Sequence, residues 1–273
     1  MGMKSKIKNI IAIITVIAGY AAVLNIAPPW NYIVGIILTI LVALILFSDK
    51  IMERLKPQQI PDQITAVSDD LPYIATAATA EDIRWAATVA RKVYKGVDII
   101  PENTMLDWFM AYPNGFIVVK NRKGQNCGNL DMFPLKNNTL HHFLKGNLIE
   151  QDMTHEDISP RYDCSSAIYV ESIVVYINGK TGNHNAVLAL MTKSRELFKA
   201  MRESGKIKTI YALGASKGGI KLMTRLGFTN MQNGSNRKDE HDMYYVALDT
   251  LIENLDQYIE REMTKTRVQV QRG

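Results

Sequence analysis

Cysteine is nearly missing from this chain: 273 residues carry two, at 127 and 164, far apart and unpaired in pattern. That excludes a disulfide framework and a cysteine-based zinc site, as expected in a reducing compartment. The five histidines (141, 142, 155, 184 and 241) form no ligand spacing, so no metal site is expected. The neighbours His141 and His142 read as a solvated helix face. No internal repeat and no low-complexity segment is present.

Charge is missing in one place only. Between Asn9 and Ser48 there is no charged residue, and two apolar runs, 9–27 and 30–47, flank Pro28 and Pro29. Each run approaches the ~20 residues that cross a bilayer as a helix. Ile, Leu and Val surround both runs, leaving no polar face for water. The expectation is a transmembrane hairpin within 1–56. A cleavable signal peptide would not account for the second run. Lys4, Lys6 and Lys8 precede the first span, and Lys50, Arg54 and Lys56 follow the second. By the positive-inside rule both ends, and everything after them, lie on the cytoplasmic side of the inner (cytoplasmic) membrane.

These flanks account for +4 of the formal net charge of +5. The remainder is almost neutral and shows no basic stripe with interleaved aromatics, which removes the main support for nucleic-acid binding.

After a polar linker at 57–70 with two prolines, the pattern becomes that of an α/β domain over 71–250. A strand at 73–79 precedes helices at 80–94 and 102–111, the second opened by Pro101. A hairpin follows, 115–121 and 126–133, turning at 122–125. Residues 134–166 form an insert, with a short helix within 134–146 and an irregular stretch at 147–164. The segment 167–177 (AIYVESIVVYI) is the strongest strand, apolar on both faces apart from Glu171 and Ser172, and so belongs in the middle of a covered sheet. A helix at 186–201, a strand at 208–213, a helix at 218–226 and a strand at 241–248 complete the domain. Residues 251–273 read as a polar helical tail.

The segment 209–228 (TIYALGASKGGIKLMTRLGF) joins a strand, a glycine-rich turn and an amphipathic helix ending at Gly227. It resembles the late strand–helix motif of the GNAT family of acyl-CoA-dependent N-acetyltransferases. The resemblance covers 71–250 and excludes the hairpin. It implies a mixed sheet flanked by helices, with the strand 167–177 splaying from its neighbour. It also implies acyl transfer from acetyl-CoA, or another acyl-CoA, directly to an amine, without a metal.

In such a domain the backbone near the end of the splayed strand, here Val174, Val175 and Tyr176, holds pantetheine. The following loop holds the pyrophosphate on amides at a helix N-terminus, where no side chain blocks approach. Here that loop is Gly179, Lys180, Thr181, Gly182, Asn183, His184 and Asn185, with Gly182 at the family's central glycine and Asn185 entering the helix. The family's usual first Arg or Gln is Gly179, and its last small residue is His184. Ser216 stands where members often carry asparagine, and is a further candidate for the cofactor.

Glu171 interrupts an apolar strand. Burial raises a carboxyl toward neutrality, which suits a general base for an ammonium nucleophile. Some members of the family place a glutamate at a similar point. Met223 stands where the family often has a tyrosine that protonates the departing thiolate, and methionine cannot donate a proton. Tyr176, Tyr244, Tyr245 or water are the remaining donors, and Met223 itself reads as core. Two alternatives stay open: a non-catalytic module that senses acyl-CoA or binds a partner at the membrane, and a long-chain N-acyltransferase whose insert lines an acyl tunnel. The amine acceptor is not legible.

Overall fold

The chain divides into units Met1–Lys56 and Pro57–Gly273. A computed structural model describes residues 72–94 and 99–271, all within the second unit. The expected hairpin at 9–27 and 30–47 and the linker at 57–70 lie outside the described residues. Among the described residues, no helix is long and apolar enough to cross a membrane.

Among the described residues, eight strands form one sheet: β1 (Tyr73–Ala77), β2 (Phe116–Asn121), β3 (Asn126–Pro134), β4 (Ala167–Ile177), β5 (Lys180–Thr181), β6 (Thr209–Leu213), β7 (Thr229–Gln232) and β8 (Met243–Ala247). Seven run in the order β1-β2-β3-β4-β6-β8-β7, and β5 pairs with β4 outside that path. Neighbours are antiparallel except β4 and β6, which are parallel. A parallel pair needs a crossover, and α4 (His184–Glu203) supplies it. An antiparallel first half, one parallel pair and a crossover form the layout that the GNAT resemblance implied.

Local chemistry fixes the frame. Helix α1 (Ala80–Val93) opens with a capping box: Asp82 N–H donates to Thr79 Oγ1 at 3.3 Å, and Thr79 N–H donates to Asp82 Oδ2 at 2.9 Å. The same carboxylate takes Lys120 Nζ at 3.0 Å and Asn126 Nδ2 at 2.9 Å, so one buried charge ties α1 to the β2–β3 hairpin. Burial alone would raise its pKa. The hydrogen bonds from Thr79, Lys120 and Asn126 outweigh burial and hold it below the ordinary value.

Helix α2 (Glu102–Ala111) delivers Trp108, whose Nε1–H donates to the Met153 carbonyl at 3.2 Å. In the insert, helix α3 (Asn137–Leu144) brings Phe143 edge-on to Tyr169, with ring centroids 4.7 Å apart. The insert is thus packed core around Phe143, Met153 and Ile158, all buried. His141 and His142 are exposed on α3, the solvated face expected of them.

Helix α5 (Lys217–Arg225) carries Met223, which is buried in the core. Helix α6 (Leu248–Gln271) differs from the polar tail expected at 251–273. Leu248, Leu251, Ile252, Leu255, Tyr258 and Ile259 are buried at helical spacing, and the helix packs on α4. Asp256 accepts Arg195 Nη1 at 3.2 Å and Lys199 Nζ at 3.0 Å across that contact. Strand β7 was not expected; it is a short polar edge with no apolar alternation to announce it.

Candidate active site

Two irregularities of β4 create the site. Strand β6 pairs with Ala167 to Val170 and no further. Beyond Val170, β4 keeps β3 on one edge and has no strand on the other until β5 folds back onto Tyr176 and Ile177. The two parallel strands therefore split after Val170. At the same point the register with β3 shifts: Asp131 faces Ser172 and Met132 faces Val170, so Glu171 is the extra residue of a β-bulge. In a regular strand Glu171 and Ser172 would point to opposite faces. Here both line one cavity of about 40 Å³, room for ordered water.

The cavity is acidic. Glu171 and Glu150 line it with Tyr94, Asn129, Ser172 and His241, over an apolar wall that includes Ala86, Ile100, Met105 and Val174. Among the described residues, no lysine or arginine lines it. Glu150 comes from a 3-10 turn of the insert, Glu150–Asp152, and accepts a hydrogen bond from the Tyr169 hydroxyl. Asp131, 1 % exposed, lies on β3 behind the bulge. Its Oδ2 accepts Asn129 Nδ2 at 2.7 Å, while its Oδ1 is buried without a partner. Glu171 is partly exposed as a residue, but its Oε2 is buried and has no partner.

Burial pushes the Glu171 carboxyl well above the carboxylate range, and the charges of Glu150 and Asp131 push it further. Burial likewise raises Asp131 to about 7, against the hydrogen bond from Asn129. Tyr94 and Tyr169 are raised by burial; the charge of Glu171 adds to the first and that of Glu150 to the second, so both hydroxyls keep their protons at neutral pH.

The expected phosphate loop is built differently. Asn178 and Gly179 both have positive φ, 51° and 79°, between the paired residues Ile177 and Lys180. This is a two-residue hairpin turn of the Asn-Gly kind, and Lys180 and Thr181 are strand β5. Gly182, at φ 86°, donates its N–H to the Val175 carbonyl at 3.1 Å. Helix α4 starts at His184 with Asn183 as its cap, two residues before the expected entry at Asn185, because Asn183 Oδ1 accepts the Ala186 N–H at 3.1 Å. The first-turn donors left for a phosphate are the amides of His184 and Asn185. His184 Nε2 also lies 3.6 Å from Glu262, a carboxylate close to where an anion was expected.

Of the residues singled out in the sequence, Glu171 and Val174 meet in the cavity. Val175 is buried, its carbonyl taken by Gly182. Tyr176 stands outside the lining with Lys92 Nζ 5.9 Å from its ring centroid. Ser216 is exposed and caps α5, accepting the Gly219 N–H at 3.0 Å; its neighbour Ala215 lines the cavity instead. Tyr244 is buried and Tyr245 is 40 % exposed, and neither lines the cavity. Sequence reasoning missed Tyr94, Asp131, Glu150 and His241. Asp131 alone carried a signal, a carboxylate in a strand that is otherwise apolar around it.

No protein-family model matches the chain, and neither does any curated protein. Among solved structures, the chain is similar to the loading GNATL domain of CurA from Lyngbya majuscula, at 8 % identity over 65 % of this chain and 98 % of that one, TM-score 0.45. It is similar also to a GNAT-family acetyltransferase from Staphylococcus aureus Mu50, at 13 % identity over 64 % and 99 %, TM-score 0.42. The GphF GNAT-like decarboxylase in complex with isobutyryl-CoA aligns at 13 % identity over 64 % and 98 %, TM-score 0.47. At these identities the fold is carried by the chain's own strand order and by the split of β4 from β6.

Proposed function

We propose that this protein is an acyl-CoA-dependent N-acyltransferase that takes an acetyl or related acyl group from CoA to an amine. The observation that carries the reading is the coincidence of bulge and split. The strand edge opens at the residue where a buried carboxyl enters the cavity. An open strand edge offers unpaired backbone groups to an extended pantetheine arm. The carboxyl offers a proton acceptor in a water-poor setting.

In this reading an ammonium acceptor enters the acidic cavity and gives a proton to Glu171. The freed nitrogen lone pair attacks the thioester carbonyl, and the C–N bond forms as the C–S bond breaks. The second proton lost by the nitrogen passes to the departing thiolate, leaving a neutral amide and CoA thiol. A base whose proton affinity has been raised toward the working pH is the efficient one for this step. Tyr94 and Ser172 supply the hydroxyls that can hydrogen-bond within the cavity. Phosphates would fall to the amides of His184 and Asn185. The uncharged runs 9–27 and 30–47, with their basic flanks, support attachment to the inner membrane with the domain on the cytoplasmic side.

The consumed phosphate loop favours a second reading, a non-catalytic module that binds acyl-CoA or a partner. Titration calorimetry of the full chain with acetyl-CoA and palmitoyl-CoA, followed by thiol release over a panel of primary amines, separates the two. Binding with amine-dependent thiol release is expected. Binding with no release over the whole panel supports the second reading. Absence of binding by the folded chain sinks the acyltransferase and acyl-CoA-binding readings and leaves the partner-binding one.

A further inference from the structure

We propose that Asp131 and Glu171 share a single proton between their unpartnered oxygens, with Asp131 acting as the positioning residue that holds this proton for exchange through Glu171. This deepens the reading of Glu171 as the base, and its consequence for turnover rests on that reading. The shared proton itself requires no substrate.

Asn129 and Asp131 are two apart on β3 and so face the same way, and Asn129 lines the cavity. Asp131 is paired with Ser172, and the bulge turns Glu171 onto the face of Ser172. The two carboxyls thus stand on adjacent strands and on one face, inside the sheet. Each keeps one buried oxygen, Asp131 Oδ1 and Glu171 Oε2, with no partner among the described residues.

Two ionised carboxylates are acceptors only and cannot satisfy each other, and burying both charges without a cation is costly. One proton turns one of them into a donor and satisfies both. A second proton is not needed, and loss of the first is opposed by the surroundings. Glu150, from the insert, accepts the Tyr169 hydroxyl, which stabilises its charge beside the pair. Tyr94 from the C-terminal cap of α1, Asn129 from β3, Ser172 from β4 and His241 from the loop before β8 line the cavity around the pair, with no lysine or arginine among the described lining residues. Burial raises both members, and the charges of Glu150 and Asp131 raise Glu171 further, the direction that a retained proton requires.

The test is a pH titration, without ligand, of the full chain labelled with carboxyl-13C aspartate and glutamate, followed by NMR for the wild type, Asp131→Asn, Glu171→Gln and Glu150→Gln. The expected result is reciprocal: removing either member lowers the midpoint of the other by at least about one pH unit, a tenfold change in acidity. Unchanged midpoints in both variants overturn the proposal. Should Asp131→Asn not fold, Glu171→Gln read at Asp131 decides alone. Glu150→Gln is expected to lower both midpoints while leaving them separated. Collapse of the separation in that variant would identify Glu150 as the partner and overturn the pairing. In turnover, Asp131→Asn is expected to move the acid limb of kcat/KM to lower pH by the amount seen in NMR, a change that a merely structural role would not give. Reciprocal shifts in a protein that shows no acyl transfer would uphold the shared proton and defeat the acyltransferase reading.

Discussion

The open stretch of β4 has two ends, and they are built on opposite principles. At the bulge, polar groups are left unsatisfied: Asp131 Oδ1 and Glu171 Oε2 are buried without partners. At the far end every turn is locally satisfied: Asn178 and Gly179 make the hairpin, Gly182 donates to Val175, and Asn183 caps α4. Folding favours local satisfaction, so buried polar atoms left alone need a reason outside folding. The bulge end is therefore where chemistry is to be sought. The hairpin end, richer in the glycines and polar residues that resemble a cofactor loop, is chiefly scaffold.

The sharpest way to break this contrast is Glu171→Gln. The amide keeps the shape and removes the proton acceptor, so turnover should fall by about 10²–10⁴-fold. Acyl-CoA affinity by calorimetry should hardly change. Retained turnover would take Glu171 out of the mechanism and leave the bulge as an architectural feature.

The next effect is on stability. Asp131 has its pKa raised from 3.8 to about 7 by burial, and Glu171 is raised too. Between the ordinary value and the raised one, the folded chain holds protons that the unfolded chain has released. Stability therefore falls as pH rises across that window and levels off above it. Asp82 works the other way, since its pKa is lowered: its contribution is present above the ordinary value of 3.8 and is lost only at lower pH. The melting temperature should peak near pH ~4 and decline toward pH 8, by about 2–4 °C for each kcal/mol lost. Asp131→Asn should flatten the decline. A rising curve between pH 5 and 8, read by calorimetry, would mean that the carboxyls are ionised in the fold.

What the sequence could reveal followed the same division. The strands and helices around the site were legible because each announces itself locally, by apolar runs in β4, the capping box of Thr79 and Asp82, and Pro101 ahead of α2. Glu171 was legible as a charge in an apolar strand. The bulge that aims it was not, since a register shift is a property of two strands. Glu150 reaches the cavity from an insert with no local pattern, and His241 from a loop. Other misses were avoidable. Asn178-Gly179 with the β-branched Ile177 before it and Thr181 two residues after it is a strong hairpin signal that a phosphate-loop reading obscured. The spacing 248, 251, 252, 255, 259 marks one buried face of α6 beneath its many charges.

The smaller predictions concern the hairpin end. Gly182→Ala forces a side chain into φ 86°, while open space surrounds the added carbon, so the cost is conformational and about 1 kcal/mol. Denaturant unfolding should show that loss.

Asn183→Ala is the finest test of the contrast. It removes the acceptor for the Ala186 N–H, and loss of such a cap costs about 1 kcal/mol. It also frees one more amide at the start of α4, beside those of His184 and Asn185. If that end is scaffold, stability falls by this amount and acetyl-CoA affinity moves by less than about twofold, since no donor to phosphate has been removed. If the helix start is instead the main phosphate site, the extra free amide should tighten binding while fraying of the first turn weakens it, and affinity should become strongly dependent on salt. Calorimetry at low and high salt therefore decides between them. A steep salt dependence that appears only in the variant would move the centre of cofactor recognition back to the hairpin end and undo the division between the two ends of β4.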